Sequence, residues 1–140
     1  MATLAVDSPR GQELGEFNDL LVIAAIKIFE GAAVGIVVGT GHARPLVAGD
    51  AFAGFCITQC DNSLGAAAAK RVKVLSKGRV RLAVATAVIT SIGALVYAID
   101  DDSFTLVAGG NTIIGRVARF IGGTIATDCM VEFNSVLTKA

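Results

Sequence analysis

The residues best able to do chemistry in this sequence lie in one short segment, Gly39-Thr40-Gly41-His42-Ala43-Arg44. Glycines at this spacing can surround a phosphate. However, a dinucleotide-binding loop needs a third glycine at the start of a helix, and a P-loop needs Gly-Lys-Ser/Thr. Position 44 is instead an arginine, and Pro45 follows it. We therefore predict a turn between two strands here.

Two other features could support catalysis or metal binding. His42 is the only histidine, so a metal site built from several imidazoles is excluded. As a general base it would need a nucleophile and an orienting carboxylate, and the sequence locates neither. Asp100-Asp101-Asp102 could bind a hard cation, but it lacks the spacing and the terminal glutamate of a calcium loop. We predict a solvent-facing histidine, a solvated acidic turn, no metal site and no cofactor.

The three cysteines, Cys56, Cys60 and Cys129, are an odd number and contain no Cys-x-x-Cys pair. A disulfide framework is therefore disfavoured, and reduced thiols are expected. Free cysteine is among the most buried residue types. We predict that all three are small buried hydrophobic residues.

The largest charge asymmetry is a basic stretch without acidic residues, which holds six of the twelve Lys and Arg residues: Lys70, Arg71, Lys73, Lys77, Arg79 and Arg81. Apolar residues alternate with these charges, so a hairpin turning at residues 76–78 would have one basic face and one apolar face. A plain solvated face is the simplest interpretation. The functional interpretation is a patch that contacts an acidic protein surface. Nucleic acid ranks below both, because no aromatic side chains are interleaved to stack on bases.

The elements that must position these residues are short strands. Apolar runs rich in Val, Ile and Ala are separated at regular intervals by Gly, Asp, Asn and Ser, and no long amphipathic helix competes with them. This pattern predicts an all-β fold, a compact jelly roll or barrel-like sandwich of about nine to eleven short strands. We expect an N-terminal arm over 1–18 and a single β-domain over 19–140. The uncharged run 82–99 is long enough to suggest a membrane span, but its β-branched residues favour two strands joined near residues 90–93.

Composition disfavours several classes of partner. The chain has no net charge and is 54% hydrophobic. No overall field directs it to nucleic acid or to an anionic membrane, so we predict direct binding to neither. An uncharged, apolar chain is poorly soluble unless a partner covers part of its surface. A non-enzymatic protein that binds other proteins is therefore the favoured class.

The order of turns and strands resembles that of the cement proteins that decorate the heads of tailed phages. The stretches that carry the resemblance span roughly residues 20–133 and include 28–35, 48–54, 61–66, 71–74, 77–80, 95–101 and 114–117. The resemblance implies a virion structural protein without catalytic residues, made in the host cytoplasm and located on the outer surface of the capsid. It implies a homodimer or homotrimer that bridges copies of the major capsid protein. The six basic residues match no fixed motif of that family, so their contact with the capsid is our own hypothesis.

Two alternatives stay open at this point. One is a small β-barrel enzyme, or a ligand- or nucleotide-binding domain, that uses residues 39–44. The other is a β-domain of a phage tail or baseplate, which would assemble into rings or tubes. Sequence alone does not distinguish a dimer from a trimer.

Overall fold

The computed structural model describes residues 5–7 and 15–135. These contain twelve strands and one 3-10 helix, Ile89–Ser91. The strands are β1 (Phe17–Leu21), β2 (Ile26–Ile28), β3 (Ala33–Ile36), β4 (Ala43–Pro45), β5 (Ala51–Cys56), β6 (Cys60–Asn62), β7 (Arg71–Leu75), β8 (Lys77–Ala85), β9 (Leu95–Ala98), β10 (Phe104–Thr105), β11 (Thr112–Phe120) and β12 (Asp128–Asn134). The all-β prediction is confirmed, and the architecture is of the barrel type. The strand number slightly exceeds the predicted range because β2, β4, β6 and β10 have only two or three residues each.

The strands form two lobes that meet at Ser76. The first lobe is a sheet in the order β1-β7-β5-β3-β4, in which all neighbours are antiparallel. A parallel bridge between Val22 and Ala43 brings its two outer strands together. The second lobe is a closed barrel in the order β10-β8-β12-β11-β9, in which only the β10–β8 contact is parallel. β2 and β6 form a separate two-stranded ribbon.

The two lobes have the same topology. In chain order, β1, β3, β4, β5 and β7 of the first lobe correspond to β8, β9, β10, β11 and β12 of the second, with the same neighbours and the same directions. The registers between β5 and β3 and between β11 and β9 agree as well, because each pair has a β-bulge at the same place. The bulged residue is Ala53 on β5 and Ile114 on β11. The fold is therefore one five-stranded unit used twice.

A glycine follows the bulge in both lobes and allows one close backbone approach. A Cβ at Gly54 would overlap the carbonyl oxygen of Leu75, and a Cβ at Gly115 would overlap that of Glu132. Leu75 and Glu132 occupy equivalent positions, on β7 and β12. Only glycine allows the strands to approach this closely in each lobe.

A continuous apolar core joins the lobes. Its largest cluster combines first-lobe residues such as Phe52 and Phe55 with residues from all five strands of the second lobe. The Phe55 ring lies 5.0 Å from the ring of Phe133 and 6.2 Å from that of Phe104, between ring centroids. A second cluster lies inside the first lobe and includes Val34, Val72 and Val74. Aromatic contact between lobes therefore adds to the packing within each lobe.

The structure corrects the predicted hairpin. β7 and β8 do not pair with each other, because β7 lies between β1 and β5 whereas β8 pairs with β12 and β10. The chain passes from one lobe into the other at Ser76. Gly78 has the positive φ expected of it (143°), but it lies within a strand and not in a turn.

Two further predictions concern the N-terminal arm and the uncharged run 82–99. Residues 1–4 and 8–14 of the predicted arm lie outside the described residues, and β1 begins at Phe17, within its last residues. The division into an arm and one β-domain stays a prediction. The run 82–99 forms the end of β8, the 3-10 helix and β9. In the described part of the chain, no helix is long and apolar enough to cross a membrane.

Candidate interaction surface

The six predicted basic residues all lie at the surface, on or beside one extended stretch of chain. From Arg71 to Ala85 the residues alternate between more exposed and more covered, with Gly78 as the exception, and the alternation continues through Ser76 without a change of phase. Side chains at odd-numbered positions face outward because successive residues of a strand point to opposite sides. The prediction of a basic outer side and an apolar inner side is thus correct, although the hairpin was not. We call Lys70, Arg71, Lys73, Lys77, Arg79 and Arg81 the basic row.

Two members of the basic row form ion pairs with acidic residues of β12. The Arg81 Nε donates to Asp128 Oδ2 at 2.8 Å, and the Arg79 Nε donates to Glu132 Oε1 at 3.1 Å. The Asp128 side chain is buried, with 6% of its surface exposed, whereas the Arg79–Glu132 pair is open to water. The Arg81 pair therefore has a structural role, and the exposed pair contributes little to stability.

The remaining basic side chains have weaker contacts. Lys73 Nζ lies 4.9 Å from the centre of the Phe17 ring, and Lys70 Nζ donates to the Asp61 carbonyl at 2.7 Å. Among the described residues, neither Arg71 nor Lys77 has a carboxylate within 4.0 Å. These two side chains are the row's best candidates for an ion pair with another protein.

Among the described strands, none pairs with the outer side of β1, next to the row, so β1 has a free backbone edge there. Its first and last hydrogen bonds to the β7 side are Ser76 N–H to Glu16 C=O (2.7 Å) and Val22 N–H to Lys70 C=O (3.1 Å). Hydrogen-bonded pairs alternate along an antiparallel ladder, so every second residue of β1 directs its N–H and C=O away from β7. Those residues are Phe17, Asp19 and Leu21. Leu21 adjoins the parallel bridge between Val22 and Ala43, so the free part of the edge lies at Phe17 and Asp19. Such an edge can accept a strand from another chain.

A groove of 840 Å³ opens on the outer side of the second lobe. Its floor is apolar, with Leu95, Ile113 and Gly115, and its rim is charged, with Lys77, Arg116 and Glu132. The Arg116 Nη1 donates to the Gly93 carbonyl at 2.9 Å. The groove can therefore cover an apolar surface that carries polar groups at its margin.

The glycine segment 39–44 begins in the turn between β3 and β4, as predicted, and its last two residues are the first two of β4. Gly41 N–H donates to the Val37 carbonyl at 2.8 Å. Arg44 is paired with the buried Asp50, through Nη2–Oδ1 at 2.7 Å and Nε–Oδ2 at 3.0 Å. A phosphate in this turn would have to displace Asp50 from the guanidinium. His42 is partly exposed beside the turn.

The acidic turn is held by local contacts. Asp102 N–H donates to Asp100 Oδ1 at 2.9 Å, and the Asp101 carbonyl accepts from Ala33 N–H at 2.9 Å. Burial raises the pKa of Asp101, and the neighbouring Asp100 raises it further. In residues 5–7 and 15–135, no group of three or more His, Cys, Asp or Glu side chains could hold a metal ion.

All three cysteines are buried and unpaired. Burial raises the pKa of each thiol, and Cys60 adds to the effect at Cys56, as Asp128 does at Cys129. The prediction that all three side chains are buried is confirmed, and none of them forms a disulfide.

Sequence reasoning missed three features of this surface: the free β1 edge, the groove and the repetition of the lobe. The first two depend on which strands become neighbours, and no local pattern encodes that. The repetition has a visible trace, because Leu-Val-Ala-Gly occurs at residues 46–49 and again at 106–109.

The chain matches no protein-family model, no curated protein and no solved structure.

Proposed function

We propose that this chain is a non-enzymatic structural protein that decorates and cements the head of a tailed phage by bridging subunits of the major capsid protein. The proposal combines the resemblance of its turn-and-strand order with one observation, the exposed basic row that runs along both lobes. A rigid element with contact groups on two lobes can touch two neighbouring subunits at once. On a lattice of identical sites, the second contact then gains from the high effective concentration set by the first.

The basic row fits an acidic protein surface. Arg71 and Lys77 carry charges that no described carboxylate within 4.0 Å neutralises, one on each lobe. Charge pairs across an interface set register and the rate of association more than affinity. The free β1 edge beside the row can add main-chain hydrogen bonds. We expect the bound state to weaken as salt rises, because exposed charges are screened.

The test is occupancy on purified heads. Heads that lack the protein are mixed with wild-type chain or with the double variant Arg71→Glu/Lys77→Glu, sedimented, and the bound copies are counted. The control is Lys27→Glu/Arg119→Glu, which changes the net charge equally at sites outside the row. We expect the first variant to lose most of its binding and the control to keep it. Equal binding by both variants would remove the basic row from the interface.

Electron microscopy of the same particles distinguishes the competing assignments. Regular density on the head surface supports decoration, whereas density confined to the tail or baseplate supports the tail alternative. A nucleotide-binding protein would ignore heads, and its melting temperature would rise with a nucleotide, because a ligand selective for the native state stabilises it.

A further inference from the structure

The contact between the two lobes shows how one copy of the five-stranded unit packs on another. The first lobe contributes a face with Ala33, Phe52 and Phe55, which is buried against the second lobe. The receiving part of the second lobe contains Phe104 and Phe133, whose rings contact Phe55. Leu82, Ala98 and Ile114 belong to the same buried cluster. We call the two sides of this contact the face and the opening.

The second lobe has its own copy of the face, and none of the described residues covers that copy. The strand registers place Leu95, Ile113 and Arg116 of the second lobe where the first lobe has Ala33, Phe52 and Phe55. All three line the 840 Å³ groove. The groove is therefore the structural equivalent of a surface that is already an interface elsewhere in the molecule.

The first lobe likewise has its own copy of the opening. Leu20, Ile36 and Ala53 are the equivalents of Leu82, Ala98 and Ile114. In the described residues they line an open pocket of 280 Å³ together with Asn18 and Ala51. The corresponding site in the second lobe is occupied by first-lobe aromatic rings.

We infer that the groove of one molecule receives the open pocket of a second copy of this chain, head to tail, in the manner of the lobe–lobe contact. The side chains at this second contact differ from those between the lobes. The long, exposed Arg116 replaces Phe55 on the face, while the small, buried Ala43 and Ser76 stand where the second lobe has Phe104 and Phe133. A polar contact of this kind is weaker than the aromatic one within the molecule, so it forms reversibly between molecules.

The two surfaces differ and lie on different lobes, so the contact is heterologous. Such contacts generate closed rings when the rotation between copies allows closure, and open chains otherwise. The inference depends on the repeated unit alone. It is tested on the purified protein without heads, so its failure and the failure of the proposed function are separate results.

The experiment measures mass in solution by sedimentation over a range of concentrations. Ile113→Lys places a charge in the groove, and Asn18→Arg places a charge at the pocket. We expect the wild-type chain to exceed its monomer mass of 14.3 kDa and each variant to fall to that mass. The control Ile125→Lys changes an exposed side chain outside both surfaces and should behave as wild type.

Mixing the two variants is the decisive step. An Ile113→Lys molecule keeps its pocket and an Asn18→Arg molecule keeps its groove, so an equimolar mixture should form a dimer of twice the monomer mass. Arg116→Glu, at an exposed position, serves as a second groove variant, and circular dichroism verifies that each variant is folded. A wild-type chain that stays monomeric, variants that keep the wild-type mass, or folded variants whose mixture stays monomeric would each overturn the inference.

Discussion

Truncation of one aromatic residue tests whether the two lobes are stabilised through a shared core. Phe55 is 5% exposed, and its ring contacts those of Phe52, Phe104 and Phe133, with centroid distances of 5.5, 6.2 and 5.0 Å. Removing a buried phenylalanine side chain costs about 3–5 kcal/mol, from lost transfer free energy and from the cavity left behind. For a chain of this length, that loss lowers the melting temperature by roughly 10–20 °C. We expect Phe55→Ala to fall in this range.

The repeated fold supplies a matched control for this experiment. Arg116 occupies the equivalent position in the second lobe, but its side chain is exposed. Exposed substitutions outside special sites usually change stability by less than about 0.5 kcal/mol. The assay is urea unfolding followed by circular dichroism. If Phe55→Ala and Arg116→Ala have similar midpoints, or if Phe55→Ala loses less than about 1 kcal/mol, the shared core does not hold the lobes together.

Three further predictions concern local features. Asp101→Asn should raise the free energy of unfolding at neutral pH, because burial raises the folded-state pKa of this carboxyl above its ordinary value of 3.8 and so disfavours the charged form. The gain, measured by thermal unfolding, should shrink as pH falls through that raised pKa and vanish below pH 3.8. A gain that persists at lower pH would contradict this prediction. Gly115→Ala should destabilise by at least about 1–3 kcal/mol, since its Cβ would overlap the Glu132 carbonyl, whereas Gly39→Ala, which meets nothing within 4 Å, should be nearly neutral. The buried thiols should react with a disulfide reagent far more slowly in the native protein than in denaturant; one thiol reacting as fast as free cysteine would refute their burial.

The sequence was informative about local structure and silent about long-range pairing. Strand positions were predictable because apolar alternation and turn residues are local, and Val72 and Val74 are buried as the alternation of β7 required. The hairpin was wrong because alternation does not specify which strand lies alongside. No residue near Ser76 indicates that the next strand belongs to a different lobe.

For the candidate surface, too, local features could be predicted from the sequence and long-range contacts could not. Exposure of the six basic residues followed from their spacing. The ion pairs of Arg79 and Arg81 could not be predicted in this way. Their partners Glu132 and Asp128 lie on β12, which pairs with β8 although the two strands are far apart in the sequence. The groove and the open pocket required knowledge of which faces the lobe–lobe contact leaves uncovered.

The passage through Ser76 has a mechanical consequence. Ser76 donates its N–H to Glu16 and accepts from the Ser135 N–H, so both ends of the described fold attach to the residue where the lobes meet. A force that pulls the lobes apart along β7 and β8 would load the β1–β7 and β8–β12 ladders in shear. Many hydrogen bonds would then share the force instead of opening one by one. We therefore expect the molecule to resist stretching along this line.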